Sequence, residues 1–228
     1  VRFSGLENSS LWIHSLPEDG KMEELHAELS QIDLNLISKS FPDLPTMRGL
    51  LNADLQYAPS DSNFLVVADA YIDSLFYDGG RVGELMFNTV YLPVGDNNHQ
   101  VDMHLFRDKN EVASIMAHYT AGKQDHIDGN INITDLPLEM VNPFIPDNMA
   151  KLSGKLQGEM EISGSSKLPK VNGNMRLDSA AVYVTAVGTS FNFDPKEIKV
   201  NDNLMDFDNY SIYTCLLYTS DAADDRIS

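Results

Sequence analysis

The sequence predicts an all-β fold built from serial antiparallel strands, and three observations lead there. Over residues 152–164 every even position is apolar or glycine and every odd position is polar. That period of two describes a strand with one dry face and one wet face. Turn signals recur about every ten residues along the chain, and the sequence holds no long 3.6-residue periodicity.

In chain order, Val1-Arg2-Phe3 and Leu11-Trp12-Ile13 read as two strands joined by a turn, followed by a turn at 17–20. Trp12, the single tryptophan, is expected in the core. Residues 21–32 fit both periods, and the alternation of Ile32, Leu34 and Leu36 favours a strand. Residues 64–67 and 70–77 then run to Asp78-Gly79-Gly80, and 82–92 end at Pro93. Residues 95–98 form a hairpin tip, which places His99 in a turn. Strands follow at 101–106 and 112–119, and Ile127, Gly129, Ile131 and Ile133 alternate again.

A loose internal repeat overlies this meander. Asp33-Leu34-Asn35-Leu36, Phe41-Pro42-Asp43 and Gly49-Leu50-Leu51 recur as Asp135-Leu136-Pro137-Leu138, Ile145-Pro146-Asp147 and Gly154-Lys155-Leu156. In each copy the apolar piece before Pro-Asp is expected to form a short helical turn that caps the sheet edge, where unpaired backbone groups would otherwise lie open.

The clearest stretch is 152–200. On the dry face of its first strand lie Leu152, Leu156, Met160 and Ile162, with Lys155 and Glu159 on the wet face. After a loop at 165–170, apolarity moves to odd positions, Val171, Met175 and Leu177, with Arg176 on the wet side. A third run at 180–187 and short pieces at 191–193 and 198–200 continue the meander.

The motifs L-S-G-K-L-Q-G-E-M-E-I-S-G, L-P-K-V-N-G-N-M-R-L and V-G-T-S-F-N-F in that stretch resemble the TamB-like translocation/assembly family of bacterial cell envelopes, as does D-L-P-L-E-M-V-N-P-F-I-P-D upstream. The resemblance is to the family's C-terminal region, and the chain is expected to be an internal fragment of it. The resemblance implies a long sheet curled into an open apolar trough, a β-taco-like form, in a periplasmic protein that bridges the inner and outer membranes. It also implies partners: phospholipid acyl chains along the trough and an outer-membrane β-barrel protein. The seven residues Leu152, Leu156, Met160, Ile162, Val171, Met175 and Leu177 are then candidates to line a lipid groove.

Residues 1–214 are expected to form one continuous β-trough segment, with repeat-like halves over about 25–130 and 131–214. Residues 215–225, CLLYTSDAADD, resemble a translated transposase-type sequencing adapter, so 215–228 stand outside the fold argument. The single cysteine, Cys215, falls in this tail, and cysteine usage carries no redox information.

Composition excludes several classes. The net charge of -18, from 34 acidic and 16 basic residues, argues against nucleic acid and against docking on anionic membranes. No apolar run approaches the ~18 residues of a membrane-spanning helix. The six histidines show no metal-ligand spacing; His104 and His118 could adjoin across two strands, but solvated surface histidines are the favoured reading. No nucleophile elbow, Walker motif or dinucleotide fingerprint is present, so neither catalytic nor cofactor-binding residues are assigned and an enzyme is not expected. Alternation by itself fits two arrangements: a closed sandwich core, or a trough whose inner face stays open. The functional readings that go with them are a lipid conduit, a β-solenoid or sandwich binding module with a closed core, and a β-helical polysaccharide-acting enzyme.

Overall fold

The computed structural model describes residues 2–4, 9–16, 24–41, 45–60, 63–95, 97–123, 125–146 and 148–214. The turn expected at 17–20, the start of the 21–32 piece and the adapter-like tail lie outside them.

Alternating residues with apolar members on one side form strands throughout. They are β1 (Arg2–Ser4), β2 (Ser10–Leu16), β3 (Glu24–Asp33), β4 (Met47–Pro59), β5 (Phe64–Tyr77), β6 (Gly80–Pro93), β7 (Asn98–Arg107) and β8 (Asn110–Thr120). The second half holds β9 (His126–Pro137), β10 (Ala150–Ser165), β11 (Leu168–Val184), β12 (Thr189–Phe193), β13 (Glu197–Asn201), β14 (Leu204–Asp206) and β15 (Ile212–Thr214). Neighbours in sequence are neighbours in space from β1 to β12, all antiparallel, in one 15-stranded sheet. The sheet is open and does not close into a barrel. Beyond β11 its edge is shared: β12 pairs residues 181–184 and β13 pairs residues 173–176.

Two short helices interrupt the meander where the repeat expects them, before each Pro-Asp. Helix α1 (Leu34–Ser40) is capped by Asp33, whose Oδ1 accepts from the Asn35 N–H at 2.9 Å. Leu34 and Leu36 therefore leave the strand pattern, because the Asp33 cap starts a helix that buries Leu34 and Ser38. The second is a 3-10 helix, η1 (Leu138–Phe144), which packs on both β6 and β10. Four strand spacings separate those strands, ~19 Å in a flat sheet, yet adjacent residues of η1 touch both: Asn142 is hydrogen-bonded to Leu152 of β10 and Pro143 lies against Gly80 of β6. Contact with both curls the sheet towards η1.

The curl has a backbone origin. An extra residue interrupts β3 between Leu29 and Ile32, β5 between Asp73 and Phe76, and β11 between Asp178 and Ala181. Gln31, Ser74 and Ser179 at these bulges have positive φ of 54°, 52° and 50°. Further irregularities at β7–β8 and β9–β10 carry the line of bulges across the sheet. Bulges bend strands and increase twist, so a line of them creases the sheet.

The expected boundaries shift for the same reason. Residues 64–77 form one strand with a bulge instead of two pieces. The run at 180–187 is not a third strand, because β11 passes through the Ser179 bulge and continues to Val184. The 165–170 loop shrinks to a two-residue turn, since Pro169 sits in β11 opposite Gly164.

Candidate functional site: the apolar face of the sheet

Directly paired residues of antiparallel strands project to the same face. Following the register from strand to strand therefore traces rows across the sheet. One row runs Leu11, Leu29, Ala53, Ala70, Phe87, Leu105, Ala113, Ile133, Gly158, Met175 and Ile198, and crosses eleven strands without a polar member. The next row on that face includes Ile13, Leu55, Met103, Ile115, Ile131 and Met160, with Thr89 its polar member. Between them, on the opposite face, stand Glu28, Asp54, Asp69, His104, Glu159 and Lys199. The acidic excess thus lies behind the apolar rows.

The seven sequence-predicted residues all fall on this face and are all half-buried. Leu156 pairs with Leu177 and Ile162 with Val171, while Met160 faces Gly173 and Met175 faces Gly158. Each methionine thus lies against a glycine. Leu152 pairs with Val182 beyond the bulge. There β9 has ended, and the Asn142 side chain of η1 takes its place: Nδ2 donates to Leu152 O at 2.8 Å and Leu152 N donates to Oδ1 at 2.7 Å.

On this bulged side η1 packs against the sheet. Met140 of η1 is buried with Val82 and Leu85, against Leu105 and Leu136. Pro143 lies so close to Gly80 that a Cβ there would stand 2.9 Å from the proline ring, so the residue opposite η1 must be glycine. Tyr77 and Phe144 rings approach to 4.3 Å. A cavity of about 820 Å³ beside η1 is lined by Tyr77, Arg81, Glu139 and Lys151. It is polar and lies apart from the aliphatic rows. Arg107, paired with Leu85, brings a charge to the apolar face at this end, with Nε 3.7 Å from Asp108 Oδ2.

At the other strand ends the face changes character. Tyr57, Phe64, Tyr91, His99 and Tyr119 form a continuous rank of neighbouring rings across β4 to β8, tilted as far as Tyr91 and stacked from Tyr91 to Tyr119. His99 is in β7, not in a turn, because β7 begins at Asn98. Periodicity alone could have assigned these residues their face, since each keeps the parity of the apolar side in its strand.

His104 and His118 do not adjoin, and both side chains reach solvent, as surface histidines do. His104 pairs with Ser114 and contacts Asp102 at 3.3 Å and Glu111 at 3.1 Å, while His118 pairs with Gln100 and lies 3.6 Å from Asp128. Trp12 is exposed on the acidic face, stacked on His14 at 4.1 Å, because its parity opposes that of Leu11 and Ile13. Among the described residues, no helix is long and apolar enough to cross a membrane.

The family model described as TamB, N-terminal domain, matches residues 7–177. The family expected from the motifs is thus found. The region is corrected, because the match is to an N-terminal domain and not to the C-terminal region. Among curated proteins and solved structures, nothing matches the chain.

Proposed function

The chain belongs to the TamB family of envelope translocation and assembly modules, and we propose that it forms a length of conduit along which phospholipid acyl chains lie and move between the inner and outer membranes. One observation carries the reading: an apolar row that crosses eleven strands unbroken while every member but Ile198 stays half-buried. A closed core would bury such residues, whereas this face buries only a few, such as Leu85 under η1 and Ile198. Contiguous apolar surface beyond a few hundred Å² marks a ligand or partner site.

Burying an acyl chain yields ~0.8 kcal/mol per methylene, on the order of 10 kcal/mol for a long tail. The rows offer nearly the same surroundings at each successive strand spacing of ~4.8 Å. A tail can then shift along the sheet with small changes in energy, and no catalytic group is involved. The bulges and η1 curl the sheet towards the face that carries the rows, since Met140 of η1 packs on Leu85 and Leu105 of that face.

Native mass spectrometry of the purified chain tests this directly. Phospholipid adducts that survive gentle desolvation are expected. A protein that carries none, even after incubation with phospholipid vesicles, would set the conduit reading aside.

A further inference from the structure

We infer that the aromatic rank opposite the bulged side is the rim over which the polar head of a bound lipid leaves the trough, so that lipids lie in one orientation across the sheet. The inference deepens the conduit reading and rests on it. Ring centroids step from Tyr57 to Phe64 to Tyr91 to His99 to Tyr119 at 5.4, 5.8, 5.9 and 5.8 Å. Tyr57 and Tyr91 both pair with Val66, and Tyr91 also pairs with Val101, which fixes them on the apolar face.

Along each strand the chemistry therefore changes in order. The two traced rows nearest the bulges carry no charged side chain. They suit uncharged hydrocarbon and would leave an ionic head unpaired. The aromatic rank comes next, with apolar ring bodies, three phenol hydroxyls and an imidazole. The Tyr91 hydroxyl lies 2.8 Å from His99 Nδ1, so polar tips are paired and held at this level. Rings with an apolar body and a wet tip collect where hydrocarbon meets polar headgroups. The rank has no carboxylate, so a phosphate near it meets no like charge from these side chains.

The opposite side carries the two short helices and no comparable rank of rings. Leu34 and Ser38 of α1 and Met140 of η1 are buried there, and Asn142 and Glu139 occupy the β10 backbone at Leu152 and Gly154.

The test uses the full chain with Trp12→Phe, which removes the native tryptophan. Tyr91→Trp and, separately, Phe64→Trp report from the rim, and Ile131→Trp reports from the aliphatic rows. Each variant, checked for native circular dichroism, is loaded from phosphatidylcholine vesicles spin-labelled on the headgroup or near the chain terminus. Emission at the rim sites should fall more with the headgroup label, and emission at 131 more with the chain label. Equal quenching at rim and row by both labels, or the reverse order, would overturn the orientation while leaving lipid binding intact. Loss of quenching everywhere would remove the conduit reading and this inference with it.

Discussion

Gly173 of β11 sits directly across from Met160 of β10, and a Cβ on Gly173 would stand 2.7 Å from the Met160 Cα and closer still to the Glu159 carbonyl oxygen. Its φ of 143° adds a backbone conformation that side chains disfavour. Gly173→Val should therefore destabilise the chain by about 1–3 kcal/mol, through displaced backbone at the β10–β11 pair. Urea unfolding measures it. Glu161→Gln, exposed on the opposite face, should stay within ~0.5 kcal/mol. An equal effect of the two would mean that the close approach is not maintained in solution.

Met140 holds η1 onto β6. Truncating a buried methionine removes its transfer free energy and leaves a cavity, so Met140→Ala should cost about 2–5 kcal/mol. Hydrogen exchange would show the accompanying loss at Leu152 and Gly154, whose N–H groups donate to Asn142 and Glu139 of η1. Unchanged protection there would separate η1 docking from Met140.

Asp135 gives a pH signature. Hydrogen bonds from Lys155 Nζ at 2.8 Å and Gln157 Nε2 at 2.6 Å, with the Lys155 charge, hold its carboxyl below the ordinary value. The same hydrogen bond, with the Asp135 charge, lifts the Lys155 ammonium above its own. A depressed carboxyl contributes stability that is complete above the unfolded value, ~3.9, and is lost as pH falls through the folded one. For the raised ammonium the contribution is complete below ~10.4 and is lost as pH rises through the folded value. Both groups are solvent-exposed, so the effect is small. Asp135→Asn should unfold slightly earlier than wild type in urea at neutral pH. The gap should close in acid below the carboxylate range, and a gap that persists there would mean the residue acts by shape and not by charge.

Met175 separates an open face from a closed core. A carboxylate sealed in a core costs several kcal/mol, whereas at a half-buried position on an open sheet it reaches water. Met175→Asp should keep its circular dichroism, with only modest loss of stability, and lose most bound lipid. Collapse of the fold would favour the closed core, and undiminished lipid would exclude a path through this position.

Photo-crosslinking reads the two faces by parity. A probe at Leu156, Met160 or Met175 should capture lipid, and one at Lys155, Glu159 or Arg176 should not. Capture at both sets alike would indicate adsorption without a preferred face.

Alternation between polar and apolar residues is a property of each strand alone, so the amino-acid sequence displays it directly. It established the antiparallel β10–β11 hairpin and the dry face of Leu156, Met160, Ile162, Val171, Met175 and Leu177. The internal repeat located the helical turns ahead of both Pro-Asp pairs. Register is different, because it depends on which distant residues pair and where an extra residue is inserted. A bulge at Ser179 reverses parity within one strand, and no local period reveals that β11 continues through it. The aromatic rank shows the same limit. Parity assigns each ring a face, but Tyr57 and Tyr119 are remote in sequence and share a rim only because the pairing of five strands aligns them. The sequence by itself determined the class of fold and the sidedness of its strands. Only the tertiary structure decided that the dry sides join into one unbroken surface, because that outcome depends on the non-local pairing of each strand with its neighbours.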